Sequence, residues 1–456
     1  MKDFKSIYFV GAGGIGMSAL LRYYLAKGMP VGGYDRTPSE LTDSLILEGA
    51  KLHFEDSIDL VDSIFLNPKE TLIVRTPAVP ADHSELIYFK ENGFNIVKRA
   101  ELLGVITRQT KGICLAGTHG KTTTSSMTAH LLHQSKVGCT AFLGGILKNY
   151  DSNLILSDKS DLTVIEADEY DRSFHNLRPY MAAITSTDPD HLDIYGTEEA
   201  YLESFNHFTS LVVEGGVLIV RKGIKLEPRL AKGVTMYSYS GEEGGDFHAS
   251  NIRIGDGTII FDFVHPNGIV KDVELGVPVS INVENAVVAM AMGTLNGLDE
   301  DELRAGIKSY EGTKRRFDFQ IKTPELTYID DYAHHPDEIK ASISSVRALY
   351  PNKKLTVVFQ PHLYSRTQDF AKEFARSLDL ADQIILLDIY PARELPIEGV
   401  SSYLIYKYLN KKNKALCSSD CLLEKIKECK FEILLTLGAG DIDRLVEPIK
   451  ERLKRC

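Results

Sequence analysis

The chain has 456 residues, more than one hydrophobic core serves, so two or three domains are expected. Its composition, 43% hydrophobic and 25% charged, is that of an ordinary globular protein. A net charge of −11 argues against a nucleic-acid partner, which needs a basic face, and leaves anionic small ligands open because local donors hold those. No stretch approaches the ~20 apolar residues of a spanning helix, so no membrane role is expected. The six cysteines are scattered without the paired spacing of a zinc site, and no disulfide framework is needed. A cytoplasmic protein is the default expectation.

Lys2 and Lys5 precede the apolar run Ile7 to Leu21 and imitate a signal peptide, but Gly11, Gly13, Gly14 and Gly16 fit a strand–turn–helix better. Gly11-x-Gly13-x-x-Gly16 then follows a buried strand, and Asp35 ends the next one. This spacing lets a diphosphate approach the backbone at a helix N-terminus, although a tight turn without ligand needs similar glycines. A further strand ends near Pro77, and the first α/β unit runs to about Ile106.

A strand from Gly112 to Ala116 opens the second unit and leads into "AGTHGKTTTSS", Ala116 to Ser126, then a helix. Leu115 stands where a general phosphate loop has its first glycine, and Gly117 and Gly120 flank a shorter loop. The physics is retained: backbone N–H groups face phosphates, Lys121 reaches the β/γ oxygens, and Thr122 or Thr123 holds Mg²⁺. Two later strands end in acids. "EADEYD" carries Glu166, Asp168 and Glu169, and "TSTDPDH" carries Asp188, Asp190 and His191. Ligands of open parallel sheets bind beyond the carboxyl ends of strands, so these acids suit hard cations, while Asp before a helix is also a common cap. Short β segments follow from Gly215 to Val279, then an Ala-rich helix stopped by Gly297.

The third unit starts near Gly312, with four strands and helices starting near Pro336, Arg366, Ser401 and after Asp441. It carries "YIDDYAHHPDEI", with Asp330, Asp331, His334 and His335, and "FQPHLYSRT", with His362 and Arg366. The paired histidines lack a third ligand of zinc spacing. Arg366 suits bidentate capture of a carboxylate or phosphate and equally a surface ion pair.

Together these motifs resemble the Mur ligase family over essentially the whole chain and in that family's order. "GAGGIGMSAL", "AGTHGKTTT", "EADE", "NVENA", "GTKRRFD", "DDYAHHP" and "PHLYSRT" carry the resemblance. It implies an α/β fold of three domains. These are an N-terminal Rossmann-like domain for the UDP substrate (1–107), a central P-loop ATPase-like domain with a parallel sheet for ATP (108–312), and a C-terminal Rossmann-like domain that binds the amino acid and closes over ATP (313–456). The implied activity is ATP-dependent joining of L-alanine to UDP-N-acetylmuramate through an acyl phosphate, a step of peptidoglycan synthesis, by a monomer or homodimer.

The resemblance also implies roles. Gly13, Gly14, Ile15, Gly16, Met17, Ser18 and Asp35 would hold the UDP substrate. Gly117, Thr118, His119, Gly120, Lys121, Thr122, Thr123, Asn285, Arg316 and Asp331 would hold ATP, with Asn285 on adenine and Asp331 on the ribose. Thr122, Thr123 and Glu166 would hold one Mg²⁺ and His191 a second. Lys121, Arg316 and His335 would act on the phosphoryl and acyl groups, and His362 and Arg366 on the alanine carboxylate. Three positions depart from the common pattern. Ile281 stands where many relatives have His, Leu363 where a common form has Arg, and Arg393 where others have Gly and would resupply that charge. Relatives acting later in the pathway use a carbamylated lysine, but no lysine occurs from Ser160 to Arg221, so ligation independent of bicarbonate is expected.

Two neighbouring readings share parts of this pattern. A murein tripeptide ligase has the ATP loop and the "HHP" motif, whereas "ITSTDPDHLDIYG" and "PHLYSRT" look more like the alanine enzyme. A nicotinamide-dependent oxidoreductase would explain the first glycine loop and leave Lys121 and the third unit unexplained. A non-catalytic nucleotide-binding protein would not need Lys121, Glu166 and His191 together.

Overall fold

The structure, a computed structural model, describes residues 4–80, 82–255, 257–392 and 394–454. Arg393 lies outside the described residues. The chain forms two compact units. One comprises 1–250, 262–273 and 283–310, and the other 251–261, 274–282 and 311–456.

The first unit holds one sheet whole and most of a second. Strands β1 (Ser6–Val10), β2 (Val31–Tyr34), β3 (Lys51–His53), β4 (Thr71–Arg75) and β5 (Asn95–Lys98) form a parallel sheet of order β3-β2-β1-β4-β5. The order reverses at β1, which pairs with β2 on one side and β4 on the other. That reversal opens a crevice at the carboxyl end of β1, where the first glycine loop sits.

The second sheet is built around β6 (Lys111–Ala116). It also contains β7 (Thr140–Leu147), β8 (Ser152–Ile155), β9 (Leu162–Ala167), β10 (Pro179–Ile184), β11 (Val217–Arg221), β12 (Thr235–Ser240) and β13 (Phe247–Gly255), with β14 (Thr258–His265) and β15 (Gly268–Glu274) completing it. From β12 to β8 the order is β12-β11-β10-β6-β9-β7-β8, parallel except for the antiparallel pair β7–β8. Strands β6, β9 and β10 are buried along nearly their whole length, as continuous apolar runs in parallel sheets must be. One hydrophobic cluster runs from Phe9 of the first sheet and Leu20 of the helix Ile15–Ala26 through Phe142 and Ile165 to Leu218 of the second sheet. The first two α/β segments therefore share a core, which is why they form a single compact unit.

The second unit is built on β16 (Asp318–Lys322), β17 (Thr327–Asp331), β18 (Leu355–Phe359), β19 (Gln383–Leu386), β20 (Lys414–Leu416) and β21 (Ile433–Leu437), in the order β16-β17-β21-β18-β19-β20. Only β16 is antiparallel to its neighbour. The helix Pro336–Leu349 starts with proline at its first turn, where the missing N–H costs nothing. The helix expected from Arg366 begins at Tyr364, and that expected from Ser401 is the single turn Tyr403–Tyr406.

Candidate active site

In the first unit, the register Ala116↔Ala167 and Ile184↔Ala116 sets the ends of β6, β9 and β10 side by side. The phosphate loop leaves β6 between them. Gly117 (φ +139) and Gly120 (φ +82) take backbone conformations that L side chains rarely adopt, and a Cβ on Gly117 would lie 2.1 Å from Thr185 Oγ1. The loop is pinned to the segment after β10: His119 N donates to Ser186 Oγ (2.7 Å), and Thr118 Oγ1 donates to Asp188 O (2.7 Å). The helix Lys121–Gln134 then presents its first-turn N–H groups, an anion site by construction.

Lys121 is not on a solvated surface. Its side chain is 15% exposed, and its Nζ donates to Gly117 O (2.6 Å), Thr118 O (3.1 Å) and Glu169 Oε1 (2.9 Å). Burial pushes the Glu169 carboxyl up from its ordinary value, and the Lys121 charge pulls it back. Glu169 is thus the counter-ion of the loop lysine, a partner that sequence reasoning did not assign. Thr122 Oγ1 donates to Glu166 Oε1 (3.0 Å), and Gly144 N donates to Glu166 Oε2 (3.1 Å). The close approach needs glycine, since a Cβ on Gly144 would meet that carboxylate at 2.2 Å. A carboxylate and a hydroxyl at the loop form a hard oxygen donor set that suits Mg²⁺.

The remaining expected residues are placed as follows. Thr123 lies in the first turn of the helix Lys121–Gln134, half-buried. Asn285 is buried and accepts from Thr124 Oγ1 (3.1 Å). His191 adopts φ +52 beyond β10, with its N–H on Asp190 Oδ1 (2.7 Å) and its ring edge-on to Tyr170 at 5.1 Å. Asp168 is engaged by Arg99 Nη2 (3.2 Å) and Tyr170 N (3.1 Å).

At the first glycine loop, Gly13 N donates to Asp35 Oδ2 (2.7 Å), so Asp35 shapes the loop. Gly14 and Ile15 are the exposed residues at the start of the helix Ile15–Ala26, Gly16 is half-buried, and Met17 and Ser18 are buried. Asn153 on β8 donates from Nδ2 to Ile15 O (2.6 Å) and Ser18 Oγ (2.9 Å), and is itself held by Arg22 (2.6 Å). The β7–β8 hairpin therefore supports both loops, through Gly144 and through Asn153.

In the second unit, β17 and β18 end at the same level, Asp331↔Leu437 and Phe359↔Leu437. Asp331 accepts from Phe317 N (3.3 Å), and burial pushes its carboxyl up. Asp330 accepts from Thr436 Oγ1 (2.6 Å); burial pushes its carboxyl up to about 6, against the pull of Arg315. Arg316 is exposed, between Arg315 and Phe317 at positive φ. The histidine pair divides. His334 faces His362, with rings 6.0 Å apart, and burial plus the nearby Arg366 charge pushes both imidazoles down. His335 instead packs on Phe370 at 5.1 Å. His334, named in the motif without a role, is the member of the pair that faces His362; adjacent positions in one motif give no means of telling the two apart. His362 Nδ1 and Arg366 Nη1 are buried without a hydrogen-bond partner, a donor set that suits a carboxylate. Leu363, at φ +72, starts the helix Tyr364–Leu378, a strained backbone next to these groups. Ile281 is 58% exposed.

Comparison with known proteins finds relatives along nearly the whole chain. Models of the Mur ligase family cover residues 6–111 (catalytic domain), 115–293 (middle domain) and 315–433 (glutamate ligase domain). A UDP-N-acetylmuramate–L-alanine ligase of Phocaeicola vulgatus is 62% identical over 446 residues, 98% of this chain and 97% of that protein. One of Flavobacterium johnsoniae is 48% identical over 453 residues, 99% of each chain. The crystal structure of the UDP-N-acetylmuramate–alanine ligase from Thermotoga maritima superposes with a TM-score of 0.83 at 26% identity, covering 99% of each chain. A murein peptide ligase from Psychrobacter arcticus shares the fold with a TM-score of 0.65 at 20% identity. The chain belongs to the Mur ligase family.

Proposed function

We propose that the protein joins L-alanine to the carboxylate of UDP-N-acetylmuramate, with conversion of ATP to ADP and phosphate, in peptidoglycan synthesis. The observation that carries this reading is 62% identity, over 98% of the chain, to a ligase of that name. A cytoplasmic reaction, where ATP is available, is part of this reading. The functional division proposed is 1–107 for the UDP substrate, 108–312 for ATP and 313–456 for the amino acid.

In the first step the muramyl carboxylate oxygen attacks the γ-phosphorus of ATP, the bond to the β-phosphate oxygen breaks, and ADP leaves. In the second the amine of alanine attacks the acyl carbon, loses a proton, and phosphate departs with the bridging oxygen from a tetrahedral intermediate. No covalent enzyme group is needed, only positioning and charge neutralisation. Lys121 supplies a positive charge to the transferred phosphoryl group. Its three N–H donors are already spent on Gly117 O, Thr118 O and Glu169, so it engages ATP by exchanging bonds it already makes. Thr122 and Glu166 are the residues fitted to hold Mg²⁺, with His191 proposed for a second ion. When bound, Mg²⁺ neutralises charge on the phosphate oxygens. Asp35 and Asn153 hold the first glycine loop in shape for the UDP diphosphate. Arg366 and His362 take the alanine carboxylate, with His334 beside them.

Phosphate release from ATP is the test, with UDP-N-acetylmuramate and L-alanine, glycine, L-serine or the murein tripeptide as acceptor. L-Alanine is expected to give the highest kcat/KM. A preference for the tripeptide would overturn the reading.

A further inference from the structure

A second cluster lies at the edge of the first sheet, apart from the residues placed above on ATP, Mg²⁺, the UDP substrate and alanine. His53 ends β3, Asp56 follows on the next loop, and His83 and Glu85 flank the first residue of the helix Ser84–Glu91. One donor atom each from Asp56, His83 and Glu85 lie within 4.8 Å of one another. Asp56 is exposed, whereas His83 and Glu85 are 6% and 0% exposed.

Neither ring nitrogen of His83 has a hydrogen-bond partner, and Glu85 Oε1 has none either. His83 Nδ1 is 3.3 Å from Asp56 Oδ1, but outside hydrogen-bonding geometry. Buried polar atoms without partners are costly and ask for an explanation. The supporting contacts are in place. Tyr8 OH donates to Glu85 Oε2 (2.8 Å), Ser84 N donates to Asp56 Oδ2 (3.0 Å), and the Tyr34 ring packs on His83 at 4.4 Å. Capping of the helix by Asp56 explains the Ser84 bond and leaves both His83 ring nitrogens unbonded, while Glu85 Oε1 lies 3.5 Å from His53 Nε2 without a hydrogen bond.

We propose that Asp56, His83 and Glu85 form a divalent transition-metal site, separate from the Mg²⁺ site of the phosphate loop. One imidazole and two carboxylates favour Zn²⁺, Co²⁺ or Mn²⁺ over Mg²⁺ and Ca²⁺, which prefer oxygen alone. Metal–ligand bonds of ~2.0–2.2 Å put neighbouring ligand atoms ~3.4 Å apart in a tetrahedral site. The His83–Asp56 pair is already at that spacing, and the Glu85 carboxylate has to move in by about 1.4 Å at most. Tyr8 then orients the ligating carboxylate, as outer hydrogen bonds do in metal sites. The ion would tie the loop after β3 to the helix start beside Tyr34, whose neighbour Asp35 holds Gly13 of the first glycine loop.

The test uses metal-stripped full-length protein without ATP or UDP substrate, so its outcome is independent of the ligase reading. Equilibration with Zn²⁺ followed by gel filtration and elemental analysis is expected to find one tightly bound ion per chain. Co²⁺ is expected to develop a visible absorption band. Asp56→Asn, whose amide still caps the helix, and His83→Ala are each expected to weaken binding at least ten-fold. Glu166→Gln is expected to retain the ion. Circular dichroism establishes that each variant is folded, and if His83→Ala fails to fold, Asp56→Asn decides. No stoichiometric ion, retention at full affinity in folded Asp56→Asn, or loss in Glu166→Gln would each overturn the proposal.

Discussion

Lys121 and Glu169 form a buried ion pair beneath the phosphate loop: the lysine Nζ lies 2.9 and 2.8 Å from the two carboxylate oxygens, with side chains 15% and 2% exposed. A lysine on a solvated loop could be truncated with no effect beyond catalysis. Here truncation also strands a carboxylate in the interior, a loss of about 3–5 kcal/mol.

Lys121→Ala is therefore expected to lower both turnover and stability. Loss of the charge on the transferred phosphoryl group costs about 3–4 kcal/mol of barrier, several hundred-fold in kcat. The double variant Lys121→Met with Glu169→Gln is expected to recover most of the melting temperature and none of the activity. Thermal melts and steady-state rates of the three proteins separate the two effects. Near-normal ligation by a folded single variant would remove Lys121 from the ATP site.

Gly144 tests the Glu166 site without changing a charged residue. A Cβ at 2.2 Å from the Glu166 carboxylate forces it away from Thr122 Oγ1. Gly144→Ala is expected to raise the Mg²⁺ concentration needed for half-maximal rate at least ten-fold, with the KM for alanine nearly unchanged. A Mg²⁺ titration at saturating substrates measures this, and an unshifted midpoint would argue that Glu166 holds no ion.

Arg366 and His362 have buried nitrogens without partners, so their ligand is expected to be the acceptor carboxylate. Arg366→Lys keeps the charge and loses the planar fork. The KM for alanine is expected to rise at least ten-fold, and that for ATP less than two-fold. Equal rises in both would place Arg366 elsewhere in the reaction.

Asp330 gives a pH signature in stability. Its carboxyl is raised to about 6 by burial, above its ordinary value of 3.8. A raised acid stabilises the fold while protonated, so its contribution is complete below pH ~4 and is lost as pH rises through about 6. Asp330→Asn keeps an acceptor for Thr436 and cannot ionise. Relative to wild type, the variant is expected to gain about 2 kcal/mol between pH 4 and pH 7.5, measured by urea unfolding at each pH. A pH-independent difference would show that Asp330 titrates normally.

What could be read in the chain, and what could not, follows from the range of the interactions. The two glycine loops were legible because backbone at φ +91 at Gly11 and φ +82 at Gly120 calls for glycine locally. The positions of Lys121, Glu166 and Arg366 near the carboxyl ends of apolar strands could be read from the sequence, while their ligands are proposals. The β7–β8 hairpin was not. Gly144 and Asn153 act through Glu166 and Ile15, 22 and 138 positions away, and nothing in their local sequence announces those partners. Which ring of the His334–His335 pair meets His362 depends on how the backbone turns into the helix at Pro336, which fixes one ring on His362 and the other on Phe370. The Lys121–Glu169 pair was hidden among several adjacent acids, and only the fold singles out the one buried beneath the loop.

The central claim is that the muramyl carboxylate is activated by phosphorylation and then captured by alanine. The direct measurement uses UDP-N-acetylmuramate labelled with heavy oxygen in both carboxylate positions, incubated with the protein, ATP and L-alanine, and follows the label by mass spectrometry. The account predicts one heavy oxygen in the released phosphate and one in the new amide. Unlabelled phosphate, with amide formed, would contradict it.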